Sequence, residues 1–152
     1  MLIGVKTWLR AAFIVAAVPL FAACASGPTY DALHASEPAV SAESARIYFY
    51  RLSTMVGSAI QPSVKIDGVA VGSAKPGGYF YVDRPAGTYE VSTTTETKES
   101  ISVAIKSGEV RYVRLDIQMG LLVGHVAPSL IWPDQAIAEI KGCHYIGDPQ
   151  KP

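Results

Sequence analysis

The side chains with most scope for chemistry in this 152-residue sequence cluster in its last third. His125, Asp134 and His144, with Ser129, Glu139 and Cys143 close by in sequence, are the residue types of a zinc site or of a nucleophile with its base. Their spacing does not favour that use. No HExxH, GxSxG or paired-cysteine signature puts two ligands on one helix face or a serine on a sharp turn. Cys143 and His144 are adjacent, but neighbours in an extended segment point to opposite sides, which is poor geometry for a thiolate–imidazole pair. A small hydrolase or metal-dependent enzyme built on the His125–His144 stretch is therefore the second reading. The first expects no catalytic residue, no metal and no cofactor, with His125 on a strand surface, His144 in a solvated tail and Cys143 a buried small hydrophobe.

Tyrosine offers recognition instead of catalysis. The chain has eight tyrosines against four phenylalanines and two tryptophans. Tyr48, Tyr50, Tyr79 and Tyr81 alternate with Phe49, Phe80 and Val82, so they share one sheet face if the phenylalanines point to the core. Such a face could receive a glycan, a peptide or a partner protein, because tyrosine joins a rigid apolar ring to a hydroxyl. The favoured alternative is that the four rings cover the edges of a small sandwich or pack beneath a terminal helix.

The elements that must position these residues are short strands. RIYFYRL (46–52), the pair 63–67 and 69–73 around Asp67-Gly68, and GYFYVD (78–83) alternate or carry β-branched and aromatic residues. Segments 88–97, 101–105, 110–117 and 121–126 follow, and 130–132 extends the sheet beyond Pro128. Asp67-Gly68 predicts a tight hairpin with positive φ at both central positions. One helical signal comes late: Asp134 is placed to cap a turn that carries Ile137, Ile140 and Lys141 before Gly142. Seven or eight short strands with frequent turns predict an all-β fold, a single antiparallel β-sandwich with one short C-terminal helix. A closed barrel is the structural rival.

The N-terminus reads as an export signal. Lys6 and Arg10 precede the apolar run Ala11–Phe21, which gives way to Ala22, Ala23 and Cys24. The run is too short for a comfortable membrane span. LFAAC (20–24) resembles the lipobox of bacterial lipoproteins, although Phe21 stands where leucine is usual. That resemblance implies cleavage before Cys24 and lipid on its thiol, with two or three acyl chains giving a stable anchor. Ala25 is not the aspartate that resembles an inner-membrane retention signal, so the resemblance implies the outer membrane of a cell envelope, facing the periplasm. Ordinary secretion is the alternative, since Ala23-Cys24-Ala25 also reads as an A-x-A cleavage site.

The expected organisation is then a signal over 1–23, a lipidated Cys24 with a flexible tether to 44, a sandwich domain over 45–146 and a tail over 147–152. Lys6 and Arg10 leave with the signal, so 11 basic residues face 13 acidic ones. The charges are interspersed. No basic patch argues for nucleic acid, and no polybasic segment argues for electrostatic membrane binding. The expected partners are the membrane, reached through lipid, and an envelope protein or a cell-wall glycan. With Cys24 lipidated, Cys143 is a lone thiol and no disulfide framework exists.

ARIYFYRLS (45–53), SVKIDGVAVGSAKPGGYFYVDRPAGTYEV (63–91) and RYVRLDIQMGLLVGHVAPSLIWPDQAIAEIKGC (111–143) together resemble a family of bacterial lipoproteins that carries a domain of unknown function. The shared features are the aromatic opening strand, the DG hairpin, a GGY step, a PxGxY turn and an MGLxVG segment. The hairpins and turns also resemble prealbumin-like and PEGA-type sandwiches. Neither likeness implies an active site, and a fold alone cannot supply one.

Overall fold

The computed structural model describes residues 25–95, 97–120 and 124–147. The order of elements is α1 (Tyr30–His34), β1 (Ser44–Tyr50), β2 (Ser63–Ile66), β3 (Val69–Ser73), β4 (Gly78–Pro85), β5 (Gly87–Thr94), β6 (Lys98–Ile105), β7 (Val110–Met119), β8 (Gly124–Ile131), α2 (Pro133–Ile140) and β9 (His144–Tyr145). The signal over 1–23 and the lipidation site Cys24 lie outside the described residues.

The strands form a sandwich of two sheets, ordered β8-β7-β1-β4-β9 and β3-β2-β5-β6. The all-β class is as the sequence predicts. The purely antiparallel arrangement is not: β1 runs parallel to β7, and β4 parallel to β9. A parallel neighbour needs a long crossover. The chain supplies one by leaving β1, building the whole second sheet and returning as β7. Asp67 and Gly68 have φ of 49° and 81°, so the β2–β3 hairpin has the two left-handed residues its sequence requires. Residues 124–131 make one strand rather than two, and Pro128 is tolerated inside it because β8 is a sheet edge.

Alternation along β1 and β4 divides their side chains between two clusters. Ile47, Phe49 and Phe80 face inward with Val113 and Leu115 of β7, against Val64, Val91, Val103 and Ile105 of the second sheet. Tyr48, Tyr50 and Tyr79 face the other way, and with Tyr112 of β7 they form a second buried cluster. Tyr30 of α1, Ala136 and Ile140 of α2, and Cys143 close over it. The molecule therefore has a third, partial layer on the outer face of the five-stranded sheet.

Helix α2 differs in detail from its sequence reading. Trp132 occupies the N-cap, Pro133 opens the first turn, and no side chain makes a capping hydrogen bond. Asp134 sits in that first turn, where its charge complements the helix dipole. The face turned inward is Ala136 and Ile140, four residues apart, while Ile137 is partly exposed.

The segment expected to be a tether is packed. Tyr30 is buried, with its ring edge-on to Tyr48 and Tyr79 at 5.9 and 5.5 Å. The segment lacks periodicity, yet it is not the flexible tether its composition predicts, because the Tyr30 ring and the Glu37 carboxylate fix it to the sheet.

Candidate functional site

Two ionic networks lie at the rim of the tyrosine face. In the first, the Tyr48 hydroxyl donates to Glu37 Oε2, and His34 Nδ1 lies 3.0 Å from the same oxygen. Arg46 stands 3.7 Å from it and makes a bidentate pair with Asp83, Nε to Oδ1 at 2.7 Å and Nη2 to Oδ2 at 2.9 Å. The Arg46 guanidinium also lies 4.0 Å above the centre of the Tyr81 ring. The Glu37 side chain is only 3 % exposed, and its Oε1 has no partner among the described residues. A hollow of about 350 Å³ opens beside it, bordered by His34, Pro38, Val40 and Val110.

The second network ties α2 to the sheet. Glu139 accepts from Tyr50 at 2.6 Å, from Arg114 at 2.8 Å and from Gln135 at 2.8 Å, and Arg114 also donates to Asp116 at 2.7 Å. Burial works to raise the Glu139 pKa, but these hydrogen bonds outweigh it and hold the carboxyl below its ordinary value. Burial, helped by the neighbouring carboxylates, pushes the hydroxyls of Tyr48 and Tyr50 upward. They stay neutral donors over the physiological range. Both networks spend their polar groups on holding α1 and α2 against the sheet.

Open volume lies elsewhere, between the edges of the two sheets. Two contiguous hollows of about 530 and 480 Å³ share Val71 and Gly72 of β3, Phe80 of β4, Tyr145 of β9 and Gly147. Lys75 borders one end and Arg84 the other. Strand β3 pairs only with β2, so its outer edge is unpaired. Strand β9 covers β4 at Gly78 and Tyr79 alone, which leaves the edge of β4 from Phe80 to Pro85 without a strand neighbour. A groove between two free strand edges offers backbone donors and acceptors along its walls and aromatic surface within.

For three of the four tyrosines the platform reading gives way to its alternative, packing beneath the terminal helix. Tyr48, Tyr50, Tyr79 and Tyr81 do share the face opposite the phenylalanines, but the first three are buried beneath α1, α2 and the residues around Cys143. Tyr81 alone of the four is partly exposed, and it borders the groove. The segment that buries the others was hidden in a stretch without periodicity. Tyr30 and Leu33, three residues apart on one short helical face, were its only sequence signal.

The enzyme alternative loses its geometry. His125 lies on β8 and His144 on β9, the two opposite edges of the five-stranded sheet, four strand spacings or roughly 19 Å apart. His125 Nε2 is 3.6 Å from Glu99 of β6. His144 is not in a solvated tail: its Nδ1 donates to the Gly27 carbonyl at 2.6 Å. Among the described residues, no three His, Cys, Asp or Glu side chains gather as a metal-holding group. Cys143 is buried, and burial with the nearby Glu139 charge pushes its thiol up to about 11.

No curated protein matches the chain. A family model matches residues 41–127, from just ahead of β1 into β8, and leaves α1 and α2 outside the match. That span is more than half of the sequence, and the chain belongs to the family described as "Protein of unknown function (DUF2846)".

Proposed function

We propose that this protein is a lipoprotein of the bacterial envelope, anchored through Cys24 to the outer membrane and facing the periplasm. It acts without catalysis, by holding an extended segment of another envelope protein in the groove between β3 and β4. The anchor rests on the export signal and the LFAAC sequence, which stand immediately ahead of the first described residue, Ala25. Among the described residues no helix is long and apolar enough to cross a membrane.

The observation that carries the binding role is the pair of unpaired strand edges flanking one apolar groove. An extended peptide satisfies such edges by adding a strand, and its alternate side chains reach Val71, Phe80 and Tyr145. A glycan would leave most of those backbone groups unmatched.

Two measurements test this. Intact mass and membrane fractionation of the natural protein and of Cys24→Ser test the anchor: acyl mass on a fragment beginning at Cys24, and release of the variant, are expected. Photo-crosslinking in intact cells from Val71, with Trp132 as control, tests the groove. The expected adduct is a single protein segment which, as a synthetic peptide, slows hydrogen exchange of the β4 amides from Phe80 to Asp83. Adducts to glycan, or a peptide that leaves those amides unprotected, would remove the binding role.

A further inference from the structure

The residues that follow Cys24 do not hang free. The Ala25 amide donates to the Pro76 carbonyl at 3.2 Å, the Tyr145 amide to Pro28 at 2.8 Å, and the Tyr30 amide to Cys143 at 3.2 Å. Gly27 lies so close to β9 that a Cβ there would stand 1.9 Å from the Tyr145 carbonyl oxygen, so only glycine fits. A lipid on Cys24 is thus one peptide bond from a residue fastened to the β3–β4 turn. The domain has no slack in which to stand away from the bilayer.

That turn lies at one definite end of the sandwich. β1 ends there at Tyr50, β7 runs parallel to it and ends at Met119, and β4 begins there at Gly78. The loop over 52–62 abuts the same turn, with Ser53 at the contact distance of a Gly77 side chain. At this end Met55, Met119 and Val56 are 92 %, 78 % and 62 % exposed, and Val56 and Met119 line a hollow of about 310 Å³ that reaches Leu115 and Ile117. Large aliphatic side chains this exposed and this close together are unusual on a soluble surface.

The loop is held in shape from beneath. Arg51, buried, donates to the carbonyls of Gly57 at 2.8 Å, Ile60 at 2.5 Å and Ala74 at 2.7 Å. It therefore joins the loop to the segment leading into the Pro76 turn. The charge pattern agrees: 52–62, 74–77 and 117–126 contain no Asp or Glu, and Lys75 is their one Lys or Arg. Asp116, beside the hollow, is paired with Arg114. On the other sheet Glu99 of β6 reaches this same end, where its carboxylate lies 3.6 Å from His125 Nε2.

We propose that this end of the sandwich rests on the lipid bilayer, with Met55, Val56 and Met119 entering the headgroup–acyl boundary beside the lipid on Cys24. The inference rests on the lipid-anchor reading and deepens it by fixing which way the domain stands. Anchor and loop make two points of attachment on one face, which is how a single weak insertion becomes persistent. Trp132 then marks the far end, because β8 runs from Gly124 to Ile131 over roughly 23 Å.

Once residues 1–23 are removed, Trp132 is the only tryptophan. The full lipidated protein is placed in phosphatidylethanolamine–phosphatidylglycerol vesicles whose acyl chains carry bromine, a quencher of indole emission. Trp132 in the natural protein should keep its emission. A variant combining Met55→Trp and Trp132→Phe should lose most of its emission, and should regain it in vesicles without bromine. Met55 is almost wholly exposed, so the exchange leaves the core untouched. A lipidated, vesicle-bound variant with unquenched emission would overturn the docking and leave the anchor standing. Absence of acyl mass on Cys24 would overturn the anchor and the docking with it.

Discussion

The hydroxyl of Tyr50 donates to Glu139 at 2.6 Å, joining β1 to α2 across 89 positions of the chain. Arg114 of β7 binds the same carboxylate, so a single side chain clamps the helix to two neighbouring strands. Beneath that clamp sit Ala136 and Ile140, packed on the tyrosine cluster. The geometry makes Glu139 the residue on which the third layer is fastened.

Acid should loosen this fastening in a defined direction. The Glu139 carboxyl is held below its ordinary value of 4.5 in the folded protein. A depressed carboxyl contributes stability that is complete above the unfolded value and is lost as pH falls through the folded one. Denaturant midpoints of the natural protein should therefore fall as pH drops below about 4.5. Glu139→Gln should lower the midpoint at neutral pH and show a shallower acid slope. An unchanged acid slope in the variant would remove Glu139 from this role.

Two tyrosines on the same face should respond oppositely to loss of the hydroxyl. Tyr48 donates to Glu37, whose side chain is 3 % exposed, so Tyr48→Phe takes a donor from a buried carboxylate. That change should cost about 1–3 kcal/mol. The Tyr79 hydroxyl is buried and has no partner among the described residues. Removing it relieves a desolvated group that earns nothing, so Tyr79→Phe should be neutral or stabilising. Urea unfolding of both variants checks the pair, and a Tyr79→Phe loss as large as that of Tyr48→Phe would contradict it.

Strand content was legible because each strand announces itself locally. Ile47 and Phe49 alternate with Tyr48 and Tyr50, and Asp67-Gly68 fixes its hairpin by backbone conformation alone. Pairing across the chain was not legible in the same way. The parallel partnership of β1 with β7 depends on where a whole second sheet folds, and no residue in β1 encodes it. The cover over the tyrosines was illegible for a related reason. Tyr30 and Glu37 sit in a segment of Ala, Ser and Pro, and they act through partners 11 (Glu37 to Tyr48) to 113 (Tyr30 to Cys143) positions away. The groove at Val71 and Phe80 arises from two strand edges that never adjoin in sequence.

Cys143 closes the account of the thiols and supplies the last test. It is 1 % exposed, its Sγ donates to the Arg51 carbonyl at 3.6 Å, and its thiol is pushed up to about 11 by burial and by the charge of Glu139. The thiolate is the reactive form, so the folded protein near neutral pH should resist alkylation and react only as fast as it unfolds. A raised thiol contributes stability that is complete below its ordinary value of 9.0 and is lost as pH rises through about 11. Cys143→Ala should lose that part of the alkaline slope. Thiol counts add an independent reading of Cys24. A protein lipidated there should show no reactive thiol when folded and one when denatured, since the sequence holds only two cysteines. Rapid alkylation of Cys143 in the native state would show that the site breathes, and that α2 and the residues behind it are held less firmly than the Glu139 clamp requires.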